Sequence, residues 1–372
     1  MSVETGMGFD REQEELRLAV RSFLDKRSSE EEVRRLMATA DGFDLRVWTD
    51  MATQLELHGL AIPEKWGGAG ATRVEQGIVL EEMGRALLCG PYFSTVVLAA
   101  DLLLCSGDEV AAARHLPRIA SGDLVATAAV AEGRQGWDLD AVRARAERGP
   151  DGWRLTGMKT YVTDGALAEL ILVVCDTAEG LGLFAVDGAA DGLTRTPLPT
   201  MDQTRKQARL EFTGVAATPV GAVGRMRDRI EHALLLACAA LATEQAGGAR
   251  RLVEASTEYA KSRVQFGRPI GAFQAVKHRL ADMLMESEAA RSAAYYAMFA
   301  GDEEIVWAAP LAKAYCSDAY VKVAQGAIQV FGGIGLTWEH FAHLYLKRAH
   351  SSAVLFGGAA EHRERLAAHL GL

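Results

Sequence analysis

Tyr259-Ala-Lys-Ser-Arg-Val-Gln-Phe-Gly-Arg-Pro-Ile-Gly-Ala-Phe-Gln274, running on to Lys277-His-Arg-Leu-Ala-Asp-Met283, is the stretch on which the reading of this chain turns. Its composition predicts a helix ending around Gln265, a Gly/Pro turn, and a second helix starting near Ala272 with Gln274 in its first turn. Arg263, in the last turn of the first helix, and the amides opening the second can together hold a phosphate. Phe266 offers an apolar face to a flat ring. The plainer reading of Arg263 is that it complements the negative end of its own helix.

Outward from this stretch, the chain has three textures. From about Met226 onward it is rich in Ala and Leu at helical spacing, with breaks near Gly267 and Gly271, near Ala300, and near Gly332 and Gly335. That pattern suits a four-helix bundle with short connections. Between about Ala126 and Val223, β-type runs such as Trp153–Leu155, Leu170–Cys175, Leu183–Val186 and Ala208–Phe212 are separated by Gly, Asp and Pro. Without intervening helical patterns they predict an antiparallel sandwich or small barrel rather than a Rossmann unit. Residues 9 to about 120 read as helices, the first with Leu16, Ala19, Val20 and Phe23 on one face. The expected organisation is mainly α with a central β-domain: a helical domain over 1–122, a β-domain over 123–224 and a helical bundle over 225–372.

Composition narrows the function. The net charge of −9 argues against a nucleic-acid partner, because phosphate neutralisation needs clustered Lys and Arg. Five scattered cysteines, none in a C-x-x-C pair, indicate neither a disulfide framework nor a metal site. The longest apolar runs fall short of the ~20 residues of a membrane span. An acidic N-terminus differs from a secretory signal, so a cytoplasmic location is expected.

A second stretch, Gln329-Val-Phe-Gly-Gly-Ile-Gly335, pairs a hydrogen-bonding amide with glycines that let backbone approach a ligand. Alone, Gly332 and Gly333 more often mark a helix end and turn. Two further segments are Ile62-Pro-Glu-Lys-Trp-Gly-Gly-Ala-Gly70 and Leu155-Thr-Gly-Met-Lys-Thr-Tyr-Val-Thr-Asp-Gly165. The four together, in order and register, resemble the acyl-CoA dehydrogenase family over essentially the whole chain.

The resemblance implies an N-terminal helical domain, a β-domain and a C-terminal four-helix bundle enclosing FAD, with bundles paired back to back. It implies that a carboxylate removes the α-proton of an acyl-CoA while hydride leaves the β-carbon for the flavin. An electron-transferring flavoprotein is the implied acceptor. Arg263, Phe266, Gln274, Gln329, Gly332 and Gly333 match positions that grip the adenine–pyrophosphate half of FAD, much of it on a neighbouring subunit's cofactor. Tyr161 and Thr163 match positions beside the flavin ring; otherwise they are a half-buried strand pair.

The departures from the family are equally informative. The commonest site of the catalytic carboxylate falls on Gly357 within Val354-Leu-Phe-Gly-Gly-Ala-Ala-Glu361, and Glu361 matches a flavin-proximal polar position, not the base. A second base site falls on Ala237 and Cys238. The β-domain loop Ala129-Val-Ala-Glu-Gly-Arg-Gln-Gly-Trp-Asp138 has lost the Ser, Thr and tight turn that would seat flavin and CoA. Glu244, seven residues after Ala237 on the same helix face, is either a relocated base or a structural carboxylate paired across the bundle with an Arg or His.

This pattern resembles the base-less partner subunit of actinobacterial α2β2 acyl-CoA dehydrogenases that act on steroid side chains. The alternatives are a self-sufficient homotetramer using Glu244, and a flavin-free scaffold or CoA-binding protein on the same fold.

Overall fold

The computed structural model of the chain describes residues 8–133 and 137–372. The helices α1 Arg11–Arg27, α2 Glu30–Met37, α3 Leu45–Thr53, α4 Arg73–Arg85, α5 Ala100–Ser106 and α6 Glu109–Ala120 come first. The strands β1 Ala126–Ala129, β2 Arg145–Gly149, β3 Gly152–Thr163, β4 Leu170–Thr177, β5 Gly180–Asp187, β6 Leu193–Pro197 and β7 Gln207–Val220 follow. The rest comprises α7 Arg227–Ser262, the short pair β8 Val264–Gln265 and β9 Arg268–Pro269, α8 Gln274–Phe299, α9 Ile305–Phe331, α10 Ala342–Val354 and α11 Ala359–His369. The order is helical, β, helical, as the sequence textures indicate. Among the described residues no helix is long and apolar enough to cross a membrane.

The chain divides into two compact units. One contains the residues up to Val33, Arg73–Leu88 and Cys238–Leu372; the other contains Arg34–Thr72 and Cys89–Ala237.

In the first unit α1 starts at a capping box, the Asp10 carboxylate accepting from the Gln13 amide and the Gln13 side chain accepting from the Asp10 amide. These bonds satisfy donors that a helix start otherwise leaves open. The buried stripe runs through Val20 and Leu24, while Ala19 is exposed, so it is rotated slightly from the expected face. α4 and α7 cross at glycines: a Cβ on Gly84 would lie 2.0 Å from the Glu244 carbonyl, and one on Gly247 1.9 Å from the Glu81 carbonyl. Backbone thus packs on backbone beside Glu244. α9 packs against α8, α10 and α11. The fourth helix of the expected bundle is two helices, because Phe356 at φ +62° and Gly357 at φ +99° turn the chain left-handed between α10 and α11.

In the second unit the β-strands form a small barrel. β3 pairs antiparallel with β2 and β7, and β5 pairs antiparallel with β4 and β7. A single parallel contact, Arg145 with Asp176, joins β2 to β4 and closes the ring. β1 adds to β4 in parallel and β6 adds to β7 antiparallel. Ile171, Val173 and Cys175 alternate with the period of a strand into a core shared with Phe184, Leu210 and Phe212.

Candidate functional site

α7 ends at Ser262, three residues before the sequence-based estimate, because a two-residue hairpin replaces its last turn. Phe266 at φ +51° and Gly267 at φ +75° form the tip that joins β8 to β9, the double left-handed turn that suits strand twist. Phenylalanine there is strained. Its ring is 92% exposed, with only an edge contact to Phe273 at 6.1 Å, and Phe273 carries the Arg268 guanidinium at 4.2 Å. Arg263 is exposed, and its amide donates to the Tyr259 carbonyl at 2.8 Å. Among the described residues no carboxylate pairs with the Arg263 side chain, and the side chains of Gln274 and Gln329 make no hydrogen bond. Folding leaves these donors unused.

Gln329, near the end of α9, lines a groove of about 550 Å³ with Ala275, His278 and Arg279 of α8 and Lys322 of α9. Gly326 allows the close approach that forms its floor, since a Cβ there would lie 2.8 Å from the Met283 sulfur. Gly332 has φ +70° and ψ −148°, a conformation in effect reserved for glycine. A Cβ on Gly332 or Gly333 would meet nothing within 4 Å, so both backbones are open to an approaching group. A guanidinium, two side-chain amides, an exposed ring and two open glycine backbones are groups of the chemical kinds that bind the pyrophosphate and adenine of a dinucleotide.

In the β-barrel, β3 bulges against β7 between Lys159 and Val162. Tyr161 sits in the bulge at φ +54° and is 47% exposed. Thr163 is buried; its carbonyl accepts from the Thr127 hydroxyl at 2.5 Å, while its own hydroxyl has no partner among the described residues. An orphaned buried hydroxyl beside a bulge is a feature that folding alone does not require. The departed loop is anchored by Glu132, whose carboxylate accepts from buried Lys159 at 2.6 Å and from the amides of Arg143 and Ala144. Residues 134–136 of that loop lie outside the described residues.

The two places expected for a carboxylate base contain none. Gly357 is buried at φ +99°. Ala237 and Cys238 are buried, and burial pushes the Cys238 thiol up to about 11. Glu361 is exposed. Glu244, 6% exposed, accepts from Arg348 Nη1 of α10 at 2.9 Å. With both side chains almost wholly enclosed, this is an ion pair across the bundle, the geometry of the structural reading.

Sequence reasoning anticipated an Arg or His partner for Glu244 but not Arg348, which lies 104 residues away. It also missed Lys313, whose Nζ is buried and donates to Ser317 Oγ, the Ala353 carbonyl and the Gly357 carbonyl. Burial pulls this amine down to about 8. The available signal was a lone lysine in the apolar run from Ile305 to Ala319, where an ammonium needs a reason.

Three family models match the chain: acyl-CoA dehydrogenase N-terminal domain over residues 10–123, middle domain over 127–215 and C-terminal domain over 227–371. Acyl-CoA dehydrogenase IpdE2 of Mycolicibacterium smegmatis is 33% identical over 363 residues, 96% of this chain and 99% of that protein. IpdE2 of Mycobacterium tuberculosis is 34% identical over 358 residues, 95% of this chain and 96% of that protein. Among solved structures, the ChsE4–ChsE5 complex of Mycobacterium tuberculosis is similar at TM-score 0.90 and 28% identity, covering 99% of both chains. A Tcur3481–Tcur3483 steroid ACAD variant is similar at TM-score 0.88 and 30% identity, covering 97% of this chain and 98% of that one.

Proposed function

The chain belongs to the acyl-CoA dehydrogenase family of oxidoreductases, and from that premise we propose that it is the FAD-gripping subunit of a heteromeric enzyme that dehydrogenates an acyl-CoA thioester. The observation that carries the proposal is an asymmetry. The donors that suit a dinucleotide are present and unspent, whereas every position expected for a base lacks a carboxylate or, at Glu244, has it tied to Arg348. Two similar solved structures are named as pairs of chains, ChsE4–ChsE5 and Tcur3481–Tcur3483, which supports a partner subunit here.

On this reading a bound FAD would supply the acceptor for the hydride that leaves the substrate β-carbon. Arg263 binds its pyrophosphate by charge-assisted hydrogen bonds. Phe266 would offer its exposed face to the adenine, and Gln274 and Gln329 would orient the adenosine half through their side-chain amides. Gly332 and Gly333 allow close backbone approach. Separately, in the β-barrel, Tyr161 and the Thr163 hydroxyl, unpartnered among the described residues, would lie beside a flavin ring. The partner supplies the carboxylate that takes the α-proton, and an electron-transferring flavoprotein reoxidises the complex in the cytoplasm. A flavin-free scaffold would leave the exposed Phe266 ring and Arg263, unpaired among the described residues, without a use.

The test is to purify the chain alone and co-expressed with a candidate partner, an acyl-CoA dehydrogenase that carries a carboxylate at the base position, then measure flavin absorbance and acyl-CoA turnover. Stable flavin and turnover are expected only in the complex. Turnover by the isolated chain with FAD bound would refute the proposal and favour the homotetramer.

A further inference from the structure

In the first unit, residues of α1, α2, α4, α7 and α10 line a pocket of about 250 Å³ that none of the roles assigned above uses. Two hydroxyls fix its shape by closing the end of α4, where a helix leaves carbonyls open. Ser28 donates to the Ala86 carbonyl at 3.0 Å, and Tyr345 donates to the Arg85 carbonyl. Leu87, at φ +48°, then turns the chain out of the helix. Leu24, Val33, Leu87 and Leu344 give the pocket buried apolar walls.

The charges of the pocket do not cancel pair by pair. Arg21 is spent on Glu82, donating from Nε at 2.8 Å and from Nη2 at 2.6 Å. Arg85 is spent on Glu254. Arg251 of α7 is half-buried, and among the described residues no carboxylate pairs with it. Its guanidinium is nonetheless held, over the Phe341 ring at 5.6 Å and in a hydrogen bond with the Tyr345 hydroxyl. A guanidinium fixed in place with donors to spare is prepared for an anion. Asp25 and Glu30 also line the pocket, but both are exposed to water. Their charges make a doubly charged anion such as phosphate costly here and favour a single negative charge.

We propose that this pocket binds a compact organic monocarboxylate, with its carboxylate on Arg251 and its apolar body against Leu24, Val33, Leu87 and Leu344. A planar carboxylate matches the parallel donors of a guanidinium, and an apolar body gains from the buried walls. At about 250 Å³ the space lies just below the usual range of small-molecule sites, roughly 300–1,000 Å³, so it suits an acid of branched or cyclic short-chain size. None of the lining residues is among those proposed to grip FAD, so the site can be tested with or without flavin.

The test is a calorimetric titration of the purified chain with 4-methylpentanoate, 4-methylpentanamide and inorganic phosphate. The amide keeps the apolar body and lacks the charge, and phosphate has charge without the body. Each should bind at least about tenfold more weakly than the acid. No detectable binding of the acid, or binding of either control as tightly as the acid, overturns the proposal. Arg251→Met retains an apolar stem beside Phe341 and should weaken the acid about tenfold or more. Undiminished affinity in a folded Arg251→Met chain overturns the proposal, and if that variant does not fold, the comparison of acid with amide on the native chain still decides. Location is read by amide exchange, which saturating acid should slow by about threefold or more in residues 24–33 and 341–345. Binding that protects only other segments overturns the assignment to this pocket. Every readout is independent of flavin and of turnover, so failure here leaves the proposed function untouched, and failure of that function leaves this test standing.

Discussion

Arg348→Met should be among the most destabilising single substitutions in the helical unit. The side chains of Arg348 and Glu244 are 4% and 7% exposed and meet at 2.9 Å, so each charge has given up nearly all its water. Methionine preserves much of the apolar stem but leaves the Glu244 carboxylate without its guanidinium. An exposed pair of this length contributes at most about 1 kcal/mol. Breaking a buried ion pair by removing one partner costs about 3–5 kcal/mol, and the enclosure of both side chains places this pair in the second regime. A chain with two compact units is not assured of two-state unfolding, so the local readout is amide exchange in α7 and α10. Protection there should fall by roughly 100-fold or more, the factor that about 3 kcal/mol implies. Removing both charges, in Glu244→Leu with Arg348→Met, should recover most of the loss, because paired apolar replacements of buried ion pairs are often neutral or better. A single-variant loss no larger than about 1 kcal/mol, or strictly additive losses in the double variant, would refute the argument.

Three further expectations have separate readouts. Arg263→Ala should weaken FAD binding by about 2 kcal/mol, some thirtyfold, and undiminished flavin occupancy in the purified complex would contradict its role as a pyrophosphate ligand. Gly247→Ala should cost about 3 kcal/mol or more, because its Cβ would meet the Glu81 carbonyl at 1.9 Å and a backbone obstacle cannot swing aside; amide exchange in α4 and α7 checks this. Stability should also fall with acid, since desolvation lowers His58 to about 3 and His362 to about 4. In the window from about 6.5 down to those values the unfolded chain binds the protons and the folded chain does not, so stability decreases as pH falls. For His58 the loss at pH 5 is about 2 kcal/mol, from 1.5 pH units at about 1.36 kcal/mol each, and His58→Leu should flatten that part of the pH–stability curve.

Much of the fold was legible because its signals are local. Gly267 and Pro269 mark a turn, the alternation in Leu170–Cys175 marks a strand, and Gly332 marks a helix end, each from neighbours in sequence. The unspent donors at Arg263, Gln274 and Gln329 were equally readable, because residues that a fold does not use still stand in a recognisable order. The absence of a carboxylate at 357, 237 and 238 was visible on inspection. Other features were set by contacts between residues far apart in the chain. The early stop of α7 is a local exception, since the Phe266–Gly267 turn closes a hairpin that pairs Val264 with Pro269. The break between α10 and α11 brings the Ala353 and Gly357 carbonyls to Lys313, 40 and 44 residues away in the chain. Glu244 had two possible roles in the sequence, and only the tertiary structure brought Arg348 to it. A helical period shows which face a carboxylate occupies, but not what another helix places 2.9 Å from it.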